Sequence, residues 1–268
     1  ERGEADSEHG REAFSVLLFQ DLSVIPVLAL VGVLAAATGS SAQTQSIGWP
    51  ALAAVVACFG WIMVASGLVN RPWVNAYKLT LHLSLALMTF SYLLWATFEA
   101  FRTNLQLIDN QSLRNNAVWI STLACLQIML GGVMSGMKAG LFYPTWPKMG
   151  DEWLPSPLLE RANWRIAHLI DYDTNPFMPA LVQFAHRGMA YALTVLVVFF
   201  FYKTLKTNEL RFEGRLLFAV LCGQVLLGIF TLINCFGKVP VGLGVCHQGW
   251  AVVLLSTCLW VNFRLKKP

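Results

Sequence analysis

The sequence predicts an all-α integral membrane protein of about seven transmembrane helices in two pseudo-repeated halves. Three observations predict it. Of 268 residues, 56% are hydrophobic and only 13% are charged, whereas about a quarter of a soluble domain is charged. Apolar stretches close to the roughly 20 residues that span a bilayer recur along the chain. One of these stretches is echoed later in the sequence, the signature of an internal repeat.

In chain order, the expected spans are 13–38, 47–69, 76–98, 117–137, 177–202, 216–233 and 241–263. The first follows an acidic tail (Glu1, Glu4, Asp6, Glu8) that lacks the basic start and small-residue cleavage site of a signal peptide. A charged tail running directly into a helix suggests a fragment or a fusion. The third span carries His82 near its start and Trp95 further along; the seventh carries His247 and Trp260 in the same arrangement. Each follows a span containing a glycine (Gly60, Gly228) and a short loop with a basic residue and proline: Arg71-Pro72 and Lys238-Val239-Pro240. The third and seventh spans therefore read as equivalent elements of two halves.

The fourth and fifth spans are joined by a loop too long to be a mere connector. It opens on Gly140-Leu-Phe-Tyr-Pro-Thr-Trp-Pro147, and then Leu158, Leu159, Ala162, Ile166, Leu169 and Ile170 recur at helical spacing among charged residues. That pattern predicts a short amphipathic helix at the membrane interface. Tyr143, Trp146 and Trp153 suit an interfacial aromatic belt.

The net charge of +4 is small, and its placement orients the chain. Arg264, Lys266, Lys267, Lys203, Lys206, Arg211, Arg215, Arg102 and Arg114 fall on one side, and outnumber Lys238, Arg71, Lys78, Arg2 and Arg11 on the other. Positive charge favours the cytoplasm, so the C-terminus is expected there. The six cysteines show no metal-type spacing. Cys58, Cys125, Cys222 and Cys258 read as core, and Cys235 and Cys246 flank the outer loop of the last hairpin, where a disulfide or two free thiols are both open.

Ionisable side chains are costly inside a bilayer, so an intramembrane histidine either serves a function or satisfies an interhelical hydrogen bond. His82, His186 and His247 all lie on helices entering from the outer side, each about 8–14 Å deep at the helical rise per residue. Two imidazoles facing across a helical bundle are suited to the axial positions of a haem iron. The small residues Gly188, Ala190, Gly244, Gly249 and Ala251 leave room for a flat macrocycle. His186 and His247 are therefore the expected pair. His82 is a third candidate, and no histidine occurs in the first two spans to partner it. Arg187, Arg71 and Lys238 suit either haem propionates or plain interfacial anchoring.

From Trp61 onward the chain resembles the haem A synthase family of bacterial and mitochondrial inner membranes. The likeness rests on Met63-Val-Ala-Ser-Gly-Leu68, the His82 helix, and Gly131-Gly-Val-Met-Ser-Gly-Met-Lys-Ala-Gly-Leu-Phe-Tyr-Pro-Thr-Trp-Pro-Lys-Met149. It continues with Val182-Gln-Phe-Ala-His-Arg187 and His247-Gln-Gly. The resemblance implies two pseudo-symmetric four-helix halves, each with a histidine pair. The C-terminal pair, similar to His186 and His247, holds haem b. The N-terminal pair, whose second member is similar to His82, handles the substrate haem O, whose methyl group becomes the formyl group of haem A. The family's other substrate-side histidine and a preceding acidic residue find no match here. In their place residues 10–30, with Gln20-Asp21, resemble a helix of potassium-efflux cation/proton antiporters.

The expected domains are 1–45 (antiporter-like helix and acidic tail), 46–115 (incomplete substrate-haem half) and 116–268 (haem b bundle). The resemblance implies a membrane oxidoreductase in the bacterial inner membrane, with haem b as cofactor, haem O as substrate, and membrane lipid around it. A haem O synthase and an electron donor or acceptor are the implied protein partners, and no nucleic acid is expected. Catalysis by this chain alone stays open, because half of the substrate site is unmatched. A non-catalytic membrane b-type cytochrome domain is the second reading, and a cation/proton antiporter fragment the third.

Overall fold

The computed structural model describes residues 75–102, 105–207 and 209–266. The expected spans 13–38 and 47–69, with Gln20, Asp21, Cys58 and Arg71, lie outside the described residues. The chain divides into two compact units, Glu1–Leu105 and Gln106–Pro268.

In the first unit the described element is α1 (Ala76–Ala100). Asn75 caps it, its side chain accepting from the Tyr77 and Lys78 amides, which satisfies donors that have no partner inside the helix. Its hydroxyls fold back onto the carbonyl one turn earlier: Thr80 onto Ala76, Ser84 onto Thr80, Thr89 onto Leu85, Ser91 onto Leu87 and Thr97 onto Leu93. Such back-bonding lets a polar side chain sit in a helix that has no water to bond.

The second unit contains α2 (Gln111–Gly136), two short helices α3 (Ser156–Leu159) and α4 (Ile166–Ile170), then α5 (Phe177–Thr207), α6 (Arg211–Ile233) and α7 (Val241–Arg264). Helices α1, α2, α5, α6 and α7 are each long and apolar enough to cross a bilayer, and there is no strand among the described residues. This is an all-α integral membrane protein. The helices overrun their apolar windows at polar ends: α2 starts at Gln111 because Asn110 accepts from the Leu113 amide, and α6 starts at Arg211 rather than at Leu216.

Helices α2, α5, α6 and α7 close a ring. Helix α2 packs on α5 and α7, and α6 packs on the same two. Thus α5 and α7 occupy opposite corners. Neighbours in the ring run antiparallel: the start of α2 meets the end of α5 through Lys203 donating to Ser112 at 2.9 Å. It meets the end of α7 through Arg114 donating to the Leu265 carbonyl at 2.7 Å.

Each helix turns one seam inward at alternating spacings of four and three residues, the spacing of bundle cores. The seams are Leu113, Ala117, Ile120 and Ala124 on α2; Leu193, Val197 and Phe200 on α5; Leu217 and Leu221 on α6; and Leu254, Cys258, Val261 and Leu265 on α7. These residues make one buried cluster towards the end where α2 begins. At that end Glu213, buried, pairs with Arg264 at 3.4 Å.

The expected interfacial helix is broken. Instead of one helix, the segment forms α3, a 3-10 turn at Arg161–Asn163, and α4. Side chains compete for the backbone there: Asn163 donates to the Pro157 carbonyl at 3.0 Å and the Trp164 indole to the Leu158 carbonyl at 3.0 Å. These bonds fold the segment back on itself. Trp164 also packs edge-on against Phe177 at 5.0 Å between ring centroids.

Candidate functional site

Extending each seam by the same spacing past the apolar cluster reaches a different set of residues. On α2 the next positions are Gln127 and Gly131; on α5, Ala190 and His186; on α6, Gln224 and Gly228; on α7, Ala251 and His247. The core changes from apolar to Gln, Gly, His and Ala at one end of all four helices. Cys258 and Val261 are each 1% exposed, whereas His247, on the same seam, is half-buried. The interior is therefore open where the histidines stand.

His186 and His247 project from opposite corners of the ring, and each is faced by a glycine of a neighbouring helix. A Cβ at Gly131 would lie 3.4 Å from His186 Cε1, and one at Gly228 would lie 2.9 Å from His247 Cε1. Only glycine lets the α6 backbone approach the His247 ring this closely. Rotation of α7 is fixed three residues further on, where the Trp250 indole donates to the Val220 carbonyl at 2.7 Å and lies against Gly223.

The Gln127 amide donates to the His186 carbonyl at 3.0 Å. The Gln224 amide nitrogen lies 3.4 Å from His247 Nε2. Four polar atoms of these residues are buried without a hydrogen-bond partner: Nδ1 of His186 and of His247, and Oε1 of Gln127 and of Gln224. Buried polar atoms normally find partners, so a site with four orphans is built for something else.

That something fits a haem. Among the described residues no three His, Cys, Asp or Glu side chains gather to hold a bare metal ion. A haem iron, however, takes most of its donors from the macrocycle and needs only axial ligands from protein. Two imidazoles with unpartnered ring nitrogens, across an interior left open by Gly and Ala, match that demand. Gly244, one turn before His247, also has nothing within 4 Å of a Cβ built on it. Gly188 and Gly249 do not contribute as expected: two residues along a helix is more than half a turn, and both glycines are exposed on the outer side.

The long loop closes over this end. Gln183, fully buried, donates to the Tyr143 carbonyl at 2.9 Å. Arg187 donates to the carbonyls of Tyr143 at 3.0 Å, Pro147 at 3.3 Å and Lys148 at 3.1 Å. Arg187 is thus a clamp for loop carbonyls, and Lys238 stands exposed on the α6–α7 loop. Burial, then the neighbouring Glu152 carboxylate, hold the Tyr143 phenol above its ordinary range. Cys235 and Cys246 are both free thiols. Cys235 is buried, donating to the Thr231 carbonyl at 3.2 Å and facing Gly140, while Cys246 is exposed.

His82 lies on α1, in the other unit, half-buried and near the helix start. Sequence reasoning missed Gln127, Gln224 and the glycine opposite His186, although the signal was present. Gln127-Ile-Met-Leu-Gly131 is repeated as Gln224-Val-Leu-Leu-Gly228, and His186-Arg-Gly-Met-Ala190 as His247-Gln-Gly-Trp-Ala251. The second unit is itself a repeat of two helix pairs, α2 with α5 and α6 with α7.

The COX15-CtaA family model, described as cytochrome oxidase assembly protein, matches residues 22–259. All three candidate histidines fall inside the match. It begins at residue 22, inside the stretch 10–30 likened to an antiporter helix and just after Gln20-Asp21. A haem A synthase of Flavobacterium johnsoniae is 34% identical over 221 residues, covering 81% of this chain and 62% of that protein. One from Nitrosospira multiformis is 34% identical over 222 residues, covering 81% and 60%. One from Rhizorhabdus wittichii is 34% identical over 247 residues, covering 89% and 67%. The chain thus spans between 60% and 67% of the length of these relatives.

Proposed function

This chain belongs to the COX15-CtaA family of cytochrome oxidase assembly proteins, and from that premise we propose that it binds haem b between His186 and His247 and takes part in converting haem O to haem A. The observation that carries the reading is the placement of two histidines on opposite corners of the four-helix ring, with unpartnered Nδ1 atoms in an interior cleared of bulky side chains. When bound, the haem supplies one-electron redox chemistry.

The chain's own residues do the positioning. Gly131 and Gly228 admit the two rings, Trp250 fixes the rotation of α7, and Gln183 and Arg187 hold the loop that shields the site from water. His82 is the residue assigned to the substrate haem. Turning a methyl into a formyl group adds an oxygen atom, which water can supply, and removes electrons and protons, so an electron acceptor completes the reaction, with a haem O synthase as the source of substrate. The setting is the bacterial inner membrane, with the C-terminus of α7 on the cytoplasmic side.

A second reading is a b-type cytochrome domain that binds haem without catalysis. The test is a reduced-minus-oxidised spectrum of the purified chain beside His186→Ala and His247→Ala. A low-spin b-type signal lost in both variants is expected, and an unchanged signal in either variant overturns the assignment. Supplying haem O and assaying for haem A then separates the two readings.

A further inference from the structure

The clamp that holds the loop leaves part of itself unused, and the unused part lies beside His186. Gln183 is fully buried; its NH2 donates to the Tyr143 carbonyl at 2.9 Å, and its Oε1 has no partner. Arg187 donates through both terminal nitrogens, one of them to the same carbonyl at 3.0 Å, and its Nε is buried without a partner. His186 Nδ1, between them in sequence, is likewise buried and unpartnered. Residues three and four apart share one face of a helix, and side chains lean back over the preceding turn. The His186 ring therefore lies over the turn that carries Gln183, and the shared carbonyl brings the ends of Gln183 and Arg187 together.

With a proton on His186 Nδ1, these three atoms are two donors and one acceptor. One water satisfies all of them, accepting from Nδ1 and Nε and donating to Oε1, and about three bonds is what a buried water makes. We propose that α5 holds a single water between Gln183, His186 and Arg187, and that this water keeps the His186 proton on Nδ1, making Gln183 and Arg187 positioning residues for the ring. This rests on the reading of His186 as a haem ligand. Nδ1 adjoins the ring carbon that bears the side chain, so a macrocycle reaches only Nε2, whose lone pair is free when Nδ1 carries the proton. The partner of the opposite N–H sets ring orientation and ligand basicity.

The repeat shows that the arrangement belongs to α5 alone. On α7 the positions matching Gln183 and Arg187 are Gly244 and Gln248. Gly244 brings no side chain to accept from a water, so His247 is set by its contacts with α6 instead. The outer loop is thereby coupled to one axial ligand and not to the other.

The experiment combines nitrogen NMR of the haem-free chain, labelled at its histidines and held in detergent, with redox titration of the haem-loaded chain. It compares the unmodified protein with Gln183→Met, Gln183→Glu and Arg187→Lys, and limited proteolysis reports on the loop in each. His186, identified by the signal missing from His186→Ala, is expected to carry its proton on Nδ1 in the unmodified protein. Methionine offers no such acceptor, so Gln183→Met gives a mixture of tautomers and raises the midpoint potential. A tenfold change in the reduction equilibrium, about 59 mV for one electron, is the expected size. Gln183→Glu, a stronger acceptor, keeps Nδ1 protonated and lowers the midpoint. Arg187→Lys keeps a donor for the loop carbonyls but loses Nε, and moves both readouts in the direction of Gln183→Met. The His247 signals stay in place throughout. If Gln183→Met does not fold, Gln183→Glu carries the test. A His186 tautomer and midpoint unchanged at Gln183, or shifted only where the loop is cut faster, overturns the inference while leaving the ligand pair intact. An unmodified protein that holds no haem overturns the ligand reading itself, and the NMR of the haem-free chain still decides on the water.

Discussion

Gly228→Ala is the most direct probe of the site, because the structure places the new atom. Its Cβ would lie 2.9 Å from His247 Cε1 and 3.5 Å from both ring nitrogens. Carbon atoms pack best at about 3.5–4.0 Å, so Cε1 must retreat by roughly 0.6 Å or more. Helix α7 cannot easily slide to allow it, since the Trp250 indole is bonded to Val220 and wedged on Gly223. The imidazole must turn instead, and a ligand set tolerates only about 0.5 Å of displacement. Overpacking costs about 1–3 kcal/mol, set against roughly 1 kcal/mol that alanine gains over glycine in a helix. Gly249→Ala, with open space around its Cβ, shows that gain alone. Gly131→Ala, with its nearest contact at 3.4 Å, falls between. Unfolding of the haem-free variants in detergent is expected to rank them Gly249→Ala, Gly131→Ala, Gly228→Ala, the last about 1–3 kcal/mol below the first. Haem titration is expected to show a loss of about tenfold or more for Gly228→Ala. A Gly228→Ala protein as stable as Gly249→Ala, and binding haem equally well, would refute the packing argument.

Three other outcomes follow from the same geometry. Arg187→Ala frees the carbonyls of Tyr143, Pro147 and Lys148, each hydrogen bond to a charged group being worth about 1.5–3 kcal/mol; limited proteolysis should cut the 148–165 segment faster. Glu213→Gln leaves Arg264 without its carboxylate beneath a buried surface, and thermal unfolding should show a loss on the order of 3 kcal/mol. Burial holds the Cys235 thiol above its ordinary range. Below that range folded and unfolded chains are both neutral and nothing is lost; as pH rises through it the unfolded chain ionises first, so stability declines on the alkaline side. Cys235→Ser should flatten that decline in pH-dependent melts, and a decline equally steep in the variant would count against the assignment.

The bundle was legible because lipid writes its demands in composition. An apolar run announces each span, and a histidine inside one stands out against it. Helix starts were less legible, since caps such as Asn110 lie outside the apolar window. The loop misled because periodicity at Leu158, Ala162 and Ile166 cannot reveal that Asn163 and Trp164 bond the backbone instead. Gln127 and Gln224 were passed over for a related reason: glutamine in a span reads as ordinary interhelical glue. Their register with the histidines becomes visible only when the seam of each helix is followed from the apolar core outward.

The ring order also has a consequence in time. Ribosomes deliver α2, α5, α6 and α7 in that sequence, and α7 touches both α6 and α2. Until it enters the bilayer, His186 faces an unclosed trough and the wall opposite is missing. Any group gripped by both histidines would therefore be enclosed only after the fourth wall arrives.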